Sequence, residues 1–167
     1  MKPVTCYLKH FFNVHYLIPV IFIFLSSCNP GRIYEEHRKM ENYSWKKHQN
    51  IVFEFAVEDI SVNYDIYIAI RHATQYPYRN LLISTILTTP SGEQRMTDYD
   101  LKIRDKDGIP LGDGLGDLWD LNIPLRKDFH FHEAGTCVLE IENRMLKSIT
   151  PGILEIGLIV EEAESAD

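Results

Sequence analysis

Ile51-Val52-Phe53-Glu54-Phe55-Ala56-Val57 sets the fold class. Ile51, Phe53, Phe55 and Val57 fall on every second position, the period of a strand with one buried face, and the residue types are those that pack well on a pleated surface. The same period returns at once in Tyr64, Ile66, Ile68 and Ile70. Two successive period-two runs without a helical stretch between them predict an antiparallel all-β domain.

The pattern continues outward from this pair. Residues 81–88 form a third, more continuously apolar strand, and Pro90-Ser91-Gly92-Glu93 carries the residues of a reverse turn. In the following run, 97–104, Tyr99, Leu101 and Ile103 point inward while Asp98, Asp100 and Lys102 point outward, so the two runs predict a hairpin. Trp119, Leu121, Ile123 and Leu125 alternate again, Phe129 and Phe131 follow, and Gly135 opens a strand with Cys137, Leu139 and Ile141 on one face. The last run, 153–160, is apolar on both faces, which places it inside a sheet. Roughly eight strands at this spacing predict a two-sheet antiparallel sandwich of jelly-roll or immunoglobulin-like type over 51–162, followed by an acidic tail at 163–167.

The N-terminal part is of another kind. Lys2 and Lys9 precede an apolar run, 17–25, that is shorter than the roughly 20 residues needed to span a bilayer. That run ends at Leu25-Ser26-Ser27-Cys28, a hydrophobic residue and two small ones before a cysteine. This is the arrangement of a lipoprotein export signal: residues 1–27 are expected to be cleaved and Cys28 to carry acyl chains. Each buried CH₂ contributes about 0.8 kcal/mol, so two or three chains hold a protein at a bilayer permanently. Residues 28–50 are polar and read as a lipidated tether, which as a coil spans roughly 25 Å. Asn29 stands where an inner-membrane retention signal would typically place Asp, so the expected location is the outer membrane, facing the periplasm.

Seventeen Lys and Arg against 24 Asp and Glu give a net charge of −7, and loss of Lys2 and Lys9 makes the remainder more acidic still. A nucleic-acid partner, which needs a basic face, is set aside. With Cys6 in the leader and Cys28 acylated, Cys137 has no partner for a disulfide and reads as a small core residue.

Three stretches carry candidate sites. Arg71, His72, Tyr76, Tyr78 and Arg79 gather aromatic and guanidinium groups, the composition of a partner-binding surface. Asp105, Asp107, Asp113 and Asp117 lie in a glycine-rich loop and form a weak Ca²⁺ candidate. Gly108 follows directly on the second Asp and no terminal glutamate completes a calcium loop, so turn chemistry is the preferred reading. His130 and His132 could share a transition metal, but no third ligand is evident and two outward-facing histidines are preferred. No nucleophile elbow, phosphate-cradling loop or zinc-protease helix is present, and the chain is expected not to be an enzyme.

Several stretches taken in order resemble the gliding-motility lipoprotein GldH family of the Bacteroidota. They are Cys28 with its signal box, Tyr34-Glu35-Glu36, Trp45 ahead of Phe53-Glu54-Phe55, Arg71-His72 with Tyr76-Pro77-Tyr78 and Asn80-Leu81, Thr89-Pro90-Ser91-Gly92, Asp105-Lys106-Asp107-Gly108, residues 112–117 and Pro151-Gly152-Ile153. The resemblance implies an envelope lipoprotein required for movement over surfaces, in a system entwined with type IX secretion. It implies no enzymatic activity and no cofactor beyond the covalent lipid on Cys28. The implied partners are the membrane, through the lipid anchor, and other gliding and secretion envelope proteins. The alternative is a glycan-binding surface lipoprotein of a polysaccharide-utilisation system, motivated by the jelly-roll-like pattern and the aromatic loop.

Overall fold

The structure is a computed structural model that describes residues 31–164; the expected leader and Cys28 lie outside these residues. Its strands are β1 (Arg32–Lys39), β2 (Ser44–Lys46), β3 (Ile51–Val57), β4 (Tyr64–Ala73), β5 (Asn80–Thr88), β6 (Gln94–Lys102), β7 (Asp113–Leu115), β8 (Leu118–Phe129), β9 (Gly135–Asn143), β10 (Ile149–Pro151) and β11 (Ile153–Glu162). They form a five-stranded sheet in the order β1-β11-β4-β8-β7, a four-stranded sheet in the order β3-β9-β5-β6, and a small β10-β2 pair. All pairings are antiparallel. The chain passes repeatedly from one large sheet to the other, giving the two-sheet sandwich that the alternation predicts.

The inward faces are the predicted ones. Phe53, Phe55, Ile68, Ile70, Leu139, Ile141, Ile156 and Leu158 are buried between the sheets, and each such side chain contributes about 1.5–3 kcal/mol by leaving water. The predicted hairpin is present, with β5 paired to β6 from Asn80↔Lys102 to Thr88↔Gln94. Its turn needs Gly92, which sits at φ +89° and donates its N–H to the Thr89 carbonyl. Cys137 is a buried free thiol, and burial pushes its pKa up to about 11. As expected of a run apolar on both faces, β11 is interior, between β1 and β4. Gly157 lets it lie close to its neighbour: a Cβ there would come within 2.5 Å of the His37 ring, which rests on the sheet at that point.

The expected tether is corrected. Residues 32–39 are not coil but the edge strand β1, paired with β11 from Arg32↔Glu161 to Lys39↔Glu155. Residues 44–46 pair with β10, and Trp45 is fully buried. An edge strand needs little apolar surface of its own, because its backbone bonds come from the neighbour and a charged edge discourages further pairing. Tyr34 packs on Phe55, with ring centroids 5.7 Å apart, and the Arg38 guanidinium lies 5.9 Å from the Phe53 ring centre. The folded unit therefore begins about twenty residues earlier than the hydrophobic pattern alone indicates.

Candidate functional site

The registers sort the connections to two ends of the sandwich. Residues 40–50, 73–79, 103–117 and 144–152 meet at one end, joined by Met40 N–H to Leu154 O, Gly152 N–H to Tyr43 O, Thr74 N–H to Asp117 O and Arg144 N–H to Leu82 O. At the other end lie the shorter connections 58–63, 89–93 and 130–134, together with the first residue of β1 and the end of β11. Both the aromatic loop and the acidic, glycine-rich loop thus belong to the same long-loop end, far apart though they are in the chain.

Arg104 binds these two loops together. Its Nε donates to the Tyr76 carbonyl at 2.8 Å, one terminal nitrogen to Gly108 O at 2.7 Å, and the other to Thr74 O. The backbone N–H groups of Ile103 and Arg104 both donate to Arg79 O. A planar fork of five donors can satisfy several carbonyls at once, which a single ammonium does less well. Nothing in the linear pattern marks Arg104, because it closes the predicted 97–104 run and looks like one more surface charge.

Only part of the predicted binding set faces outward. His72 and Tyr76 are buried and cannot touch a partner, which corrects their inclusion. The Tyr76 hydroxyl donates to Asn80 O at 3.0 Å, and burial raises its pKa. Arg71 is already engaged, its Nε and one terminal nitrogen bonded to the two oxygens of Asp120 at 2.7 and 3.0 Å, with Glu155 at 3.3 Å. Tyr78 is half-buried, edge-on to Tyr76 with centroids 5.7 Å apart, and Arg79 is exposed. The stretch works mainly as the packed floor of the long-loop end, and its outward groups are Tyr78 and Arg79.

In the acidic loop, Asp105 Oδ1 accepts from the N–H groups of Asp107 and Ile109 at 2.9 and 2.8 Å, while Gly108 adopts φ +81°. This is the turn chemistry that Asp and Gly supply. Asp113 pairs with Asp120 in β7 and β8, and Asp117 gives its carbonyl to Thr74. Among the described residues no three His, Cys, Asp or Glu side chains gather in a way that could hold a metal. His130 and His132 lie at the opposite end, past β8, with ring centres 5.1 Å apart and His130 Nδ1 3.1 Å from Asn63 Oδ1.

His72 has a testable electrostatic consequence. Its Nδ1 and Nε2 lie 3.3 Å from the carbonyls of Ala73 and Leu111. Burial pushes its pKa below 6.5, helped by Arg104, and outweighs the opposing pull of the two carbonyls and Asp120. The unfolded chain then binds the proton more tightly, so stability is whole above about pH 6.5 and declines as the pH falls from there toward the folded value. Urea unfolding of the wild type is expected to show a lower midpoint at pH 5.5 than at pH 8. His72→Gln should flatten that difference, and an unchanged pH dependence in the variant would assign it to other groups.

Residues 32–160 match the protein family described as GldH lipoprotein. Among curated proteins, the chain is similar to the "Gliding motility lipoprotein GldH homolog" of Christiangramia forsetii, with 27% identity over 161 residues, 92% of this chain and 98% of that protein. It is similar also to "Gliding motility lipoprotein GldH" of Flavobacterium johnsoniae, with 24% identity over 149 residues, 85% of this chain and 92% of that protein. Among solved structures, it is similar to the infectious bursal disease virus VP2 subviral particle at 14% identity and a TM-score of 0.42, covering 81% of this chain and 33% of that one.

Proposed function

This chain belongs to the GldH lipoprotein family, and from that premise we propose that it is a lipid-anchored, non-catalytic accessory component of a gliding machinery linked to type IX secretion, held at the outer membrane and facing the periplasm. The observation that carries the reading is a family match running from β1 to β11, so that the whole sandwich is what the relatives named for gliding motility share.

The mode of attachment follows from Cys28 and from where β1 begins. Three residues, Asn29, Pro30 and Gly31, separate Cys28 from Arg32, and the four Cα–Cα steps between them span at most about 14 Å when fully extended. A leash of that length brings the short-turn end, where β1 starts, toward the bilayer and turns the long-loop end away from it. Confinement to a surface raises the local concentration of membrane-bound partners, so that modest contacts suffice. The glycan reading is weaker on this geometry, because Tyr76 is buried and Tyr78 packs edge-on instead of offering a flat platform.

Deleting the gene in its host is expected to abolish colony spreading, with rescue by the wild-type chain and none by Cys28→Ala. Spreading restored in full by the unlipidated variant would remove the anchor from the proposal, and normal spreading of the deletion strain would remove the gliding role.

A further inference from the structure

The two large sheets differ in width, five strands against four, and the narrower one ends in β6. Hydrogen bonds fix which way the β6 backbone faces. Thr89 N–H donates to Glu93 O at one end of the β5–β6 hairpin and Ile103 N–H to Arg79 O at the other, both at 2.9 Å. Pairing alternates along an antiparallel ladder, so Arg95, Thr97, Tyr99 and Leu101 turn their N–H and C=O groups toward β5. Gln94, Met96, Asp98, Asp100 and Lys102 turn theirs the other way, where β6 has no neighbouring strand. All five are exposed, Met96 by 69%.

Among the described residues, no other long strand edge is left so open. β1 carries charges of both signs along its length and a register shift against β11. β3 is flanked by β1, with Tyr34 on Phe55 and Arg38 on Phe53. Beyond the three residues paired with β7, β8 is interrupted by Pro124, which has no N–H, and by two register shifts against β4. β6 runs for nine residues with neither a proline nor a bulge. A row of unpaired N–H and C=O groups of that length is a template for a further strand. The side chains beside the row define that strand. β6 sits over β8, joined by Tyr99 OH to Leu125 O at 3.1 Å and by Arg126 Nη2 to Thr97 Oγ1 at 2.8 Å. On this flank Tyr99 and Ile123 stay half-buried against the core. An added strand turns every second side chain inward onto them and the others outward beside Asp98 and Asp100. A second copy of β6 does not suit the edge: paired antiparallel over its full length, it sets Asp98 against the same residue of the copy, and like charges directly opposite are destabilising.

We propose that β6 receives an extended segment of a partner protein, which joins the four-stranded sheet antiparallel as its fifth strand. Main-chain hydrogen bonds to Met96, Asp98 and Asp100 hold the segment. Its alternate residues are apolar and cover Tyr99 and Ile123, and those between are polar but not acidic. The edge belongs to the sandwich whichever machinery the partner serves, so failure of this proposal would leave the gliding reading untouched.

A fluorescent, end-blocked peptide Thr-Val-Lys-Val-Thr-Val-Lys-Val-Thr, titrated with the full lipoprotein in detergent micelles, tests the edge. Peptide residues opposite Met96, Asp98 and Asp100 point outward with them and bond to β6 through their own N–H and C=O, so these are the Thr and Lys positions. N-methylation of both Lys is therefore expected to weaken binding about tenfold or more, and N-methylation of two Val, whose amides face away, to leave it nearly unchanged. Met96→Pro removes one edge N–H and spares the bonds to β5, a change that an outer strand tolerates, and should weaken binding to a similar degree. Bound peptide should slow amide exchange at Met96, Asp98 and Asp100 but not at Thr97 or Tyr99. Equal binding of the two methylated peptides, no saturable binding, or protection without this alternation would overturn the proposal, and the methylated pair decides it even if Met96→Pro fails to fold. Self-association of the protein that Met96→Pro abolishes would overturn it too, because the edge would then serve a second copy of this chain.

Discussion

Replacing Arg104 by alanine is expected to destabilise the domain by about 3 kcal/mol, since hydrogen bonds to a charged donor contribute roughly 1.5–3 kcal/mol each and do not add fully. The lost bonds run to Thr74 O, Tyr76 O and Gly108 O, carbonyls on two loops with no direct covalent link. Damage should therefore be concentrated at the long-loop end: amide exchange should speed up most at residues 73–79 and 105–112, with β3, at the far edge of the four-stranded sheet from β6, changing least. Arg104→Lys keeps the charge but not the fork, and is expected to recover less than half of the loss. A uniform loss of protection across both sheets would show that Arg104 supports the core and not this end alone.

Asn143→Ala is the second large effect, expected at about 2–4 kcal/mol, in the range found for breaking a buried hydrogen-bond network. Asn143 is fully buried at the end of β9. Its Nδ2 donates to Trp45 O at 3.0 Å and to Thr150 Oγ1 at 2.9 Å, and its Oδ1 accepts from Met145 N–H at 2.9 Å. One amide thus holds β2, β10 and the segment after β9. Replacement strands three buried groups, and Asn143→Asp, with no amide donor, should fare no better. Chemical denaturation gives the size of the effect. Tryptophan fluorescence reports whether Trp45, buried and bonded to Gln49 O, becomes wet first.

How much of this was legible beforehand depends on how locally each feature is encoded. The β3, β4, β9 and β11 faces were readable because alternation is a property of neighbouring residues, and the β5–β6 hairpin because its turn carries its own glycine. β1 was not. Its eight residues, Arg-Ile-Tyr-Glu-Glu-His-Arg-Lys, hold few apolar anchors, and their extended form is imposed by β11, more than a hundred positions away. The candidate binding residues were legible as a composition only: period and chemistry could not tell that His72 and Tyr76 turn inward while Tyr78 and Arg79 remain at the surface.

By itself, the sequence determined the all-β sandwich class, the inward face of most strands, the interior place of the last strand, the acidic character that argues against nucleic acid, and the signal pattern ending at Cys28. Each of these is written in residue types over short windows, where hydrophobic burial and turn preferences act. The tertiary structure alone decided that residues 32–46 are part of the fold, that two distant loops share one end under Arg104, and that β6 ends its sheet with one edge unpaired. Those facts depend on strand order and register, which arise when the chain closes on itself and distant backbone groups must find partners away from water.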